Sequence, residues 1–420
     1  MSVKRRIVVT GLGLVSPCGI GWQAGWEKFC AGVSCLKPLE QDFPGDDPHR
    51  LAGAIENFSP GDLIRQKKSL KVMSRDIQLA VAASTLALRD AGIETDRLDL
   101  DACGLSMGAN APIHTDLEGL SAGILKGFEG SLFSMRRFGT EGIAALFPLW
   151  FLKDIPNMPA CHVSIAHGFR GPSNTLVSSA AAGLQAVGEA ARVIERGDAS
   201  VMLAGGTDSA LNPLGLSRLE MLGLLGRTQE VRAPFSGVGP GLCPAEGSAL
   251  LVLEELEHAR ARGARIYAEV AGYGSASEDA PSCASAARAR SMRRALADAS
   301  CASDELSAVF ACGSSIPEQD AAEAEALQSV VAGHVAVTAS KSLTGHLLAA
   351  AGAADALWAC AALFTRFVPS APGLRNPHPI LNLCRSFQLP ERGSSILVNA
   401  SSLSAQHATA VFRQYQNGVL

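Results

Sequence analysis

The stretch Gly171-Pro172-Ser173-Asn174-Thr175-Leu176-Val177-Ser178-Ser179-Ala180-Ala181-Ala182-Gly183 constrains the fold more than any other part of the chain. Asn174 to Ser178 reads as a buried strand. At Ala180 the chain turns into a helix whose apolar positions Leu184, Val187, Ala191 and Ile194 keep helical spacing as far as Gly197. A further strand, Val201-Met202-Leu203-Ala204-Gly205-Gly206, begins soon after. Strand, sharp turn, helix and strand form the unit of a largely buried sheet covered by helices, so an α/β fold is expected. The turn also carries a chemical expectation. Residue 180 lies at a helix N-terminus, where unpaired N–H groups and the positive end of the helix dipole converge. A Cys there would have its thiolate stabilised, and an oxyanion would find donors. Alanine can use neither.

Along the whole chain, strand and helix signals alternate with Gly turns, and the alternation repeats. A strand near 6–12 leads to the turn helix and then to strands near 200–205 and 248–253. A strand near 266–273 leads to 307–312, to a helix from Leu347 to Phe364 and to 394–399. The two series share little identity, so duplication is only suggested. The segment from about Ala109 to Pro159 breaks the pattern: it is rich in Gly, Leu, Phe and Met and has few strand signals. It reads equally as a core-covering helical insertion or as an exposed apolar surface awaiting a partner.

Short motifs fall in order on this framework: Val8-Val9-Thr10-Gly11-Leu12-Gly13, Leu203-Ala204-Gly205-Gly206-Thr207, Arg232-Ala233-Pro234-Phe235, Ala245-Glu246-Gly247-Ser248-Ala249 and Lys341-Ser342-Leu343-Thr344-Gly345-His346. Together with the 171–183 turn they resemble the β-ketoacyl-acyl-carrier-protein synthases, the condensing enzymes of fatty acid and polyketide assembly. The resemblance covers nearly all 420 residues. It implies a thiolase-like α/β fold of two duplicated halves, 1–255 and 256–420, packed as five layers (αβαβα). It also implies that 109–159 caps the pocket, lines an acyl tunnel and packs across a dimer seam.

The family's catalytic Cys position is Ala180, and its first His position, in Val309-Phe310-Ala311-Cys312-Gly313-Ser314-Ser315, is Cys312. The second His is kept as His346, with Lys341 five residues before it. The glycine-rich gating loop appears as Asn399-Ala400-Ser401-Ser402-Leu403-Ser404-Ala405-Gln406-His407, without its glycines or aromatic gate. The family's Pro-Phe-Asp-x-x-Arg segment has become Pro234-Phe235-Ser236-Gly237-Val238-Gly239. Decarboxylative condensation needs a thiolate to hold the acyl chain and two imidazole-type donors for the enolate. The catalytic positions Ala180, Cys312, His346 and Lys341 are therefore expected to be vestigial. His346 reads either as a retained donor or as a residue that caps and packs at a helix start. Cys312 reads as a small buried filler, and Ser178 and Ser179 as too displaced to replace the nucleophile.

The resemblance implies a chain length factor: a ketosynthase homologue without a nucleophile that heterodimerises with an active ketosynthase. It would shape the acyl tunnel through Ser401, Leu403, Phe133 and Phe138. Alternatives are a malonyl-carrier-protein decarboxylase that primes synthesis and an active synthase carried as a Cys-to-Ala variant. No cofactor or metal is implied, because acyl groups arrive on the phosphopantetheine arm of an acyl carrier protein. The basic cluster Arg65, Lys67, Lys68, Lys71 and Arg75 is a candidate docking patch for that protein, or simply a solvated turn.

A net charge of −4 with mixed signs argues against nucleic acid as a partner. The Leu347–Phe364 stretch approaches membrane length, but Asp355 and many Ala and Gly residues mark it as a packed core helix. Lys4-Arg5-Arg6 runs at once into a strand and does not read as a secretory leader, which with the composition suggests a cytoplasmic protein. Eleven Cys without a C-x-x-C pair suggest reduced thiols and neither a disulfide framework nor a zinc site.

Overall fold

A computed structural model of the chain describes residues 5–39, 50–110, 117–236, 241–280, 283–375, 378–403 and 405–416. Among the described residues, ten principal strands form two five-stranded halves. The first half contains β1 (Ile7–Ser16), β2 (Cys103–Gly108), β3 (Ser173–Leu176), β4 (Val201–Ser209) and β5 (Glu246–Glu255), in the spatial order β3-β2-β4-β5-β1. The second contains β6 (Ala268–Ser277), β7 (Leu306–Phe310), β8 (Ala336–Thr338), β9 (Ser395–Ser401) and β10 (Gln406–Arg413), in the order β8-β7-β9-β10-β6. Each half therefore places its strands third, second, fourth, fifth, first. Pair directions also match: the two pairs nearest the first strand are antiparallel and the outer two parallel. The halves meet where β1 pairs with β6, Val8 opposite Glu269 and Val9 opposite Ala268. Duplication, weak in the sequence, is plain in the topology.

Helices complete the layers. α1 (Trp22–Cys30) follows the β1 turn, and α2 (Arg75–Asp90) and α3 (Met158–His167) cover the outer face of the first sheet. α4 (Ala182–Arg196) and α7 (Ala351–Thr365) form the middle layer between the sheets, while α5 (Ala284–Asp298) and α6 (Pro317–Val330) cover the second sheet. In α7 every residue from Ala351 to Leu363 is buried. Its membrane-like length and apolarity thus serve a core helix, clad on both sides by sheet.

The middle layer is thin because its residues are small. A Cβ on Gly183 would stand 2.7 Å from the Ala349 carbonyl oxygen, and one on Gly206 would stand 2.3 Å from the same atom. Neither position admits a side chain without moving backbone. The first approach presses the 171–183 turn, and the second β4, against the segment that follows His346.

Two expectations are corrected, and one left open is decided. β3 is not buried: Ser173 and Asn174 are exposed because the strand forms the free edge of the sheet. Four residues of mixed polarity look alike at an edge or inside. Cys18 and Cys35 are joined by a disulfide, their Cα atoms 5.3 Å apart, where eleven reduced thiols were expected. α1 folds the intervening chain back on itself, an approach that spacing alone does not reveal. For the insertion, the exposed-surface alternative is the one the structure takes. Its helix Leu117–Lys126, hairpin Phe128–Glu129/Leu132–Phe133 and following turns expose Leu125, Leu132, Phe133, Met135, Phe147, Leu149 and Phe151. Residues 111–116 of it lie outside the described residues.

Candidate functional site

The 171–183 turn has the form that a nucleophile would need. Ser179 is held at φ 51°, in the left-handed region that non-glycine residues rarely occupy. A short 3-10 turn, Ser179–Ala181, then enters α4. Ala180 is buried at its centre, and the turn packs against Leu348–Ala350 and the adjoining ends of β9 and β10. Ser178 is not a displaced nucleophile, since its hydroxyl is bonded to Gln185.

His346 lies on the other side of that contact, fully buried. The Leu348 N–H donates to its Nδ1 at 3.1 Å, so the ring proton is carried on Nε2. Burial, reinforced by the charge on Lys341, pushes its pKa down to about 3. The ring is therefore neutral at physiological pH and keeps one free donor, Nε2–H. Lys341 is buried and ion-paired with Asp355 of α7, which also binds the Ser340 hydroxyl. Burial alone would lower the lysine pKa, but the Asp355 carboxylate outweighs it and holds the ammonium charged.

Cys312 follows β7. Its N–H and that of Gly313 donate to the two oxygens of Glu323, at 2.8 and 2.9 Å, and its Sγ lies 4.0 Å from the Ser401 carbonyl oxygen. Burial raises its thiol to about 12, with Lys341 opposing too weakly to matter. A thiol so protonated is no nucleophile. The Cys312 side chain carries no imidazole donor.

Two buried acids on α6 organise this segment. Glu323 also accepts from Asn399 Nδ2 at 3.3 Å, and Asp320 accepts from the Ser314 and Ser315 N–H groups at 2.8 and 3.2 Å. Asp320 further accepts from the Phe235 N–H at 3.2 Å, which ties the Pro234-Phe235 segment to the same helix; residues 237–239 lie outside the described residues. Sequence reasoning missed both acids, because Pro317-Glu318-Gln319-Asp320-Ala321-Ala322-Glu323 reads as a solvated helix start. Their i,i+3 spacing, which puts them on one face, was the available signal.

The four wall residues fall into two groups. Ser401 is buried at the β9–β10 hairpin, and Leu403 packs against the cluster of Ala210, Leu219, Leu242, Ile316 and Leu348, beside the His346 turn. Phe133 and Phe138 meet instead on the insertion, their tilted rings 5.9 Å apart between centroids, with Phe128 edge-on to Phe133 at 5.3 Å. Arg65, Lys67, Lys68 and Lys71 are exposed and carry no ion pair among the described residues. Arg75 drops out of that patch: it is bidentate to the buried Glu246 at 3.0 Å and lies over the Phe58 ring.

Residues 4–259 match the family described as beta-ketoacyl synthase, N-terminal domain, and residues 267–375 match its C-terminal domain. A relative in Vibrio cholerae, named 3-oxoacyl-[acyl-carrier-protein] synthase 2, is 33% identical over 386 residues, covering 89% of this chain and 90% of its own. The solved ishigamide ketosynthase/chain length factor is similar with a TM-score of 0.85 and 26% identity, covering 99% of this chain and 100% of its own. A type II polyketide synthase ketosynthase bound to a hexaketide, in complex with its acyl-carrier protein, is similar with a TM-score of 0.79 and 26% identity, covering 99% of this chain and 100% of its own.

Proposed function

The chain belongs to the β-ketoacyl synthase family, and on that premise we propose that it acts as a chain-length-factor-like subunit. In this reading it pairs with an active ketosynthase in the cytoplasm and performs no condensation itself. One observation carries the reading: a strained, buried nucleophile turn is built in full around an alanine, Ala180. Without a thiolate no acyl group transfers to this chain, and Cys312 restores neither lost function. The exposed apolar insertion and the unpaired edge β3 supply a surface suited to a stable partner. The likeness to a solved ketosynthase/chain length factor supports the same assignment.

Its contribution is then steric. The hairpin around Ser401 and Leu403 and the insertion around Phe133 and Phe138 form walls of the acyl cavity, the second across the subunit seam. Acyl groups reach the pair on the pantetheine arm of a carrier protein that docks on Arg65, Lys67, Lys68 and Lys71, and no cofactor is bound. The 1–255 and 256–420 halves serve as one rigid scaffold.

A second reading, decarboxylation of malonyl carrier protein, draws support from His346, which keeps a neutral donor for an enolate oxygen. Native mass and condensation activity of the chain, alone and with its ketosynthase, separate the two. A one-to-one complex active only when both chains are present supports the first. A homodimer that releases carbon dioxide unaided supports the second.

A further inference from the structure

We propose that Arg288 and His407 are positioning residues that latch the β9–β10 hairpin in one place, making it an immobile wall where the family resemblance puts a glycine-rich gate. The latch is a chain of hydrogen bonds whose directions can be assigned, closed by an ion-pair contact of 3.7 Å in which Arg288 Nη1 makes no hydrogen bond. Glu278 Oε1 can only accept, so His407 Nε2, 2.9 Å away, carries the proton and donates. His407 Nδ1 then accepts from the Ser401 hydroxyl at 3.1 Å, and the Ser401 oxygen accepts in turn from Arg288 Nε at 3.2 Å. Arg288 also donates to Gln319 of α6, and its Nη1 lies 3.7 Å from Glu278 Oε1. Burial, with Arg288 and Arg290 nearby, pushes His407 down to about 3, in keeping with the neutral ring that this chain of bonds requires.

The elements joined are far apart in sequence: the end of β6, helices α5 and α6, and both strands of the hairpin. The tip is held as well, since the Glu278 N–H donates to the Ala405 carbonyl and Ser402 N–H to the Gln406 carbonyl, at 2.9 and 2.7 Å. On the opposite face Gln185 Nε2 donates to Gln406 Oε1 at 3.1 Å and its amide oxygen binds Ser178, so the hairpin is also tied to the 171–183 turn. Ser404 lies outside the described residues. Arg288 and His407 are each about 98% buried in their side chains. Such groups are costly to desolvate unless every partner is present, so displacing the hairpin would strand several of them at once.

The consequence for product length rests on the function proposed above; the immobility does not. Arg288→Met keeps the stem and deletes the donors, and His407→Phe keeps the ring and deletes both nitrogens. Hydrogen exchange of the 396–412 segment is followed by mass spectrometry in each variant, and the products of the ketosynthase pair are sized in parallel. At least a tenfold rise in exchange confined to this segment, with longer or broader products, is expected. Unchanged exchange in both folded variants overturns the latch, as does an equal rise throughout the molecule. Faster exchange with unaltered products overturns its role in length control. If the unsubstituted pair makes no product, the functional reading fails, while the exchange result still decides the latch. Should Arg288→Met not fold, His407→Phe and Ser401→Ala carry the same test.

Discussion

Lys341 and Asp355 form a fully buried ion pair that joins the turn bearing His346 to the middle-layer helix α7. Its two charges are matched within the core, and the Ser340 hydroxyl completes the carboxylate's bonding. Lys341 lowers the pKa of His346 and opposes the rise at Cys312. Removing either charge would strand the other in the core.

That argument has a measurable form. Lys341→Met or Asp355→Leu alone should destabilise the fold by roughly 3–5 kcal/mol, by leaving one uncompensated buried charge. The double variant should recover most of the loss. Urea midpoints of the four proteins complete the cycle, and strictly additive losses would show that the two residues act independently.

Asp208 makes stability depend on pH in the sense opposite to most acids. Burial, with some help from Asp76, raises its pKa from 3.8 to about 7, against the hydrogen bonds from Ala349 N–H and Asn110 Nδ2. A raised folded-state value means that the contribution is fully present below about pH 4 and is lost as pH rises through 7. At about 1.4 kcal/mol per unit, it amounts to at most about 4 kcal/mol. Asp208→Asn, an uncharged isostere, should flatten that decline and be the more stable protein at pH 8. Urea midpoints of both proteins from pH 4 to 8 test this, and parallel curves would reject it.

Restoring the nucleophile alone should not restore the reaction. In Ala180→Cys the thiol gains a helix N-terminus, but the enolate still lacks the donor lost at Cys312. One missing donor of this kind costs about 10²–10³ in rate. Radiolabelled malonyl condensation by Ala180→Cys should therefore stay near background, whereas Ala180→Cys/Cys312→His should exceed it at least tenfold. Full activity in the single variant would mean that Cys312 does replace the histidine.

Much of this was legible in the sequence, for identifiable reasons. The α/β alternation shows because its buried strands are apolar runs bounded by glycine, while the duplication is only suggested until strand order displays it; Ala180 and Cys312 can be singled out because each falls inside a local motif. The pairing of Lys341 with Asp355 does not show, since Asp355 reads only as an interruption of an apolar helix. Arg288, Glu278, Gln319, Ser401 and His407 are scattered over more than a hundred positions, so only the fold assembles them. The Cys18–Cys35 disulfide and the exposed edge at β3 are likewise facts of chain reversal and strand order, to which local pattern is blind.

The basic turn offers a test of docking that is independent of the cavity. Lys67, Lys68 and Lys71 lie on one exposed 3-10 turn without acidic partners among the described residues. Their reversal to Glu should raise the apparent KM of the pair for carrier protein at least tenfold at low salt. The effect should shrink above 0.5 M NaCl, where the Debye length falls to about 4 Å, and kcat should hold. An unaltered KM across salt would place the carrier elsewhere.

Cavity shape gives the final expectation. Leu403 packs against the cluster of Leu219, Leu242, Ile316 and Leu348, and Phe133 lies exposed on the insertion. Packed walls penalise each surplus methylene by roughly 1–3 kcal/mol, enough to end elongation within one or two cycles of the limit. Leu403→Ala and Phe133→Ala each remove bulk from one wall. Both should shift the products of the reconstituted pair toward longer chains by mass spectrometry, while Met221→Ala, an exposed site on neither wall, should leave the distribution unchanged. If all three distributions coincide, neither wall limits the chain, and the steric role belongs to the ketosynthase alone.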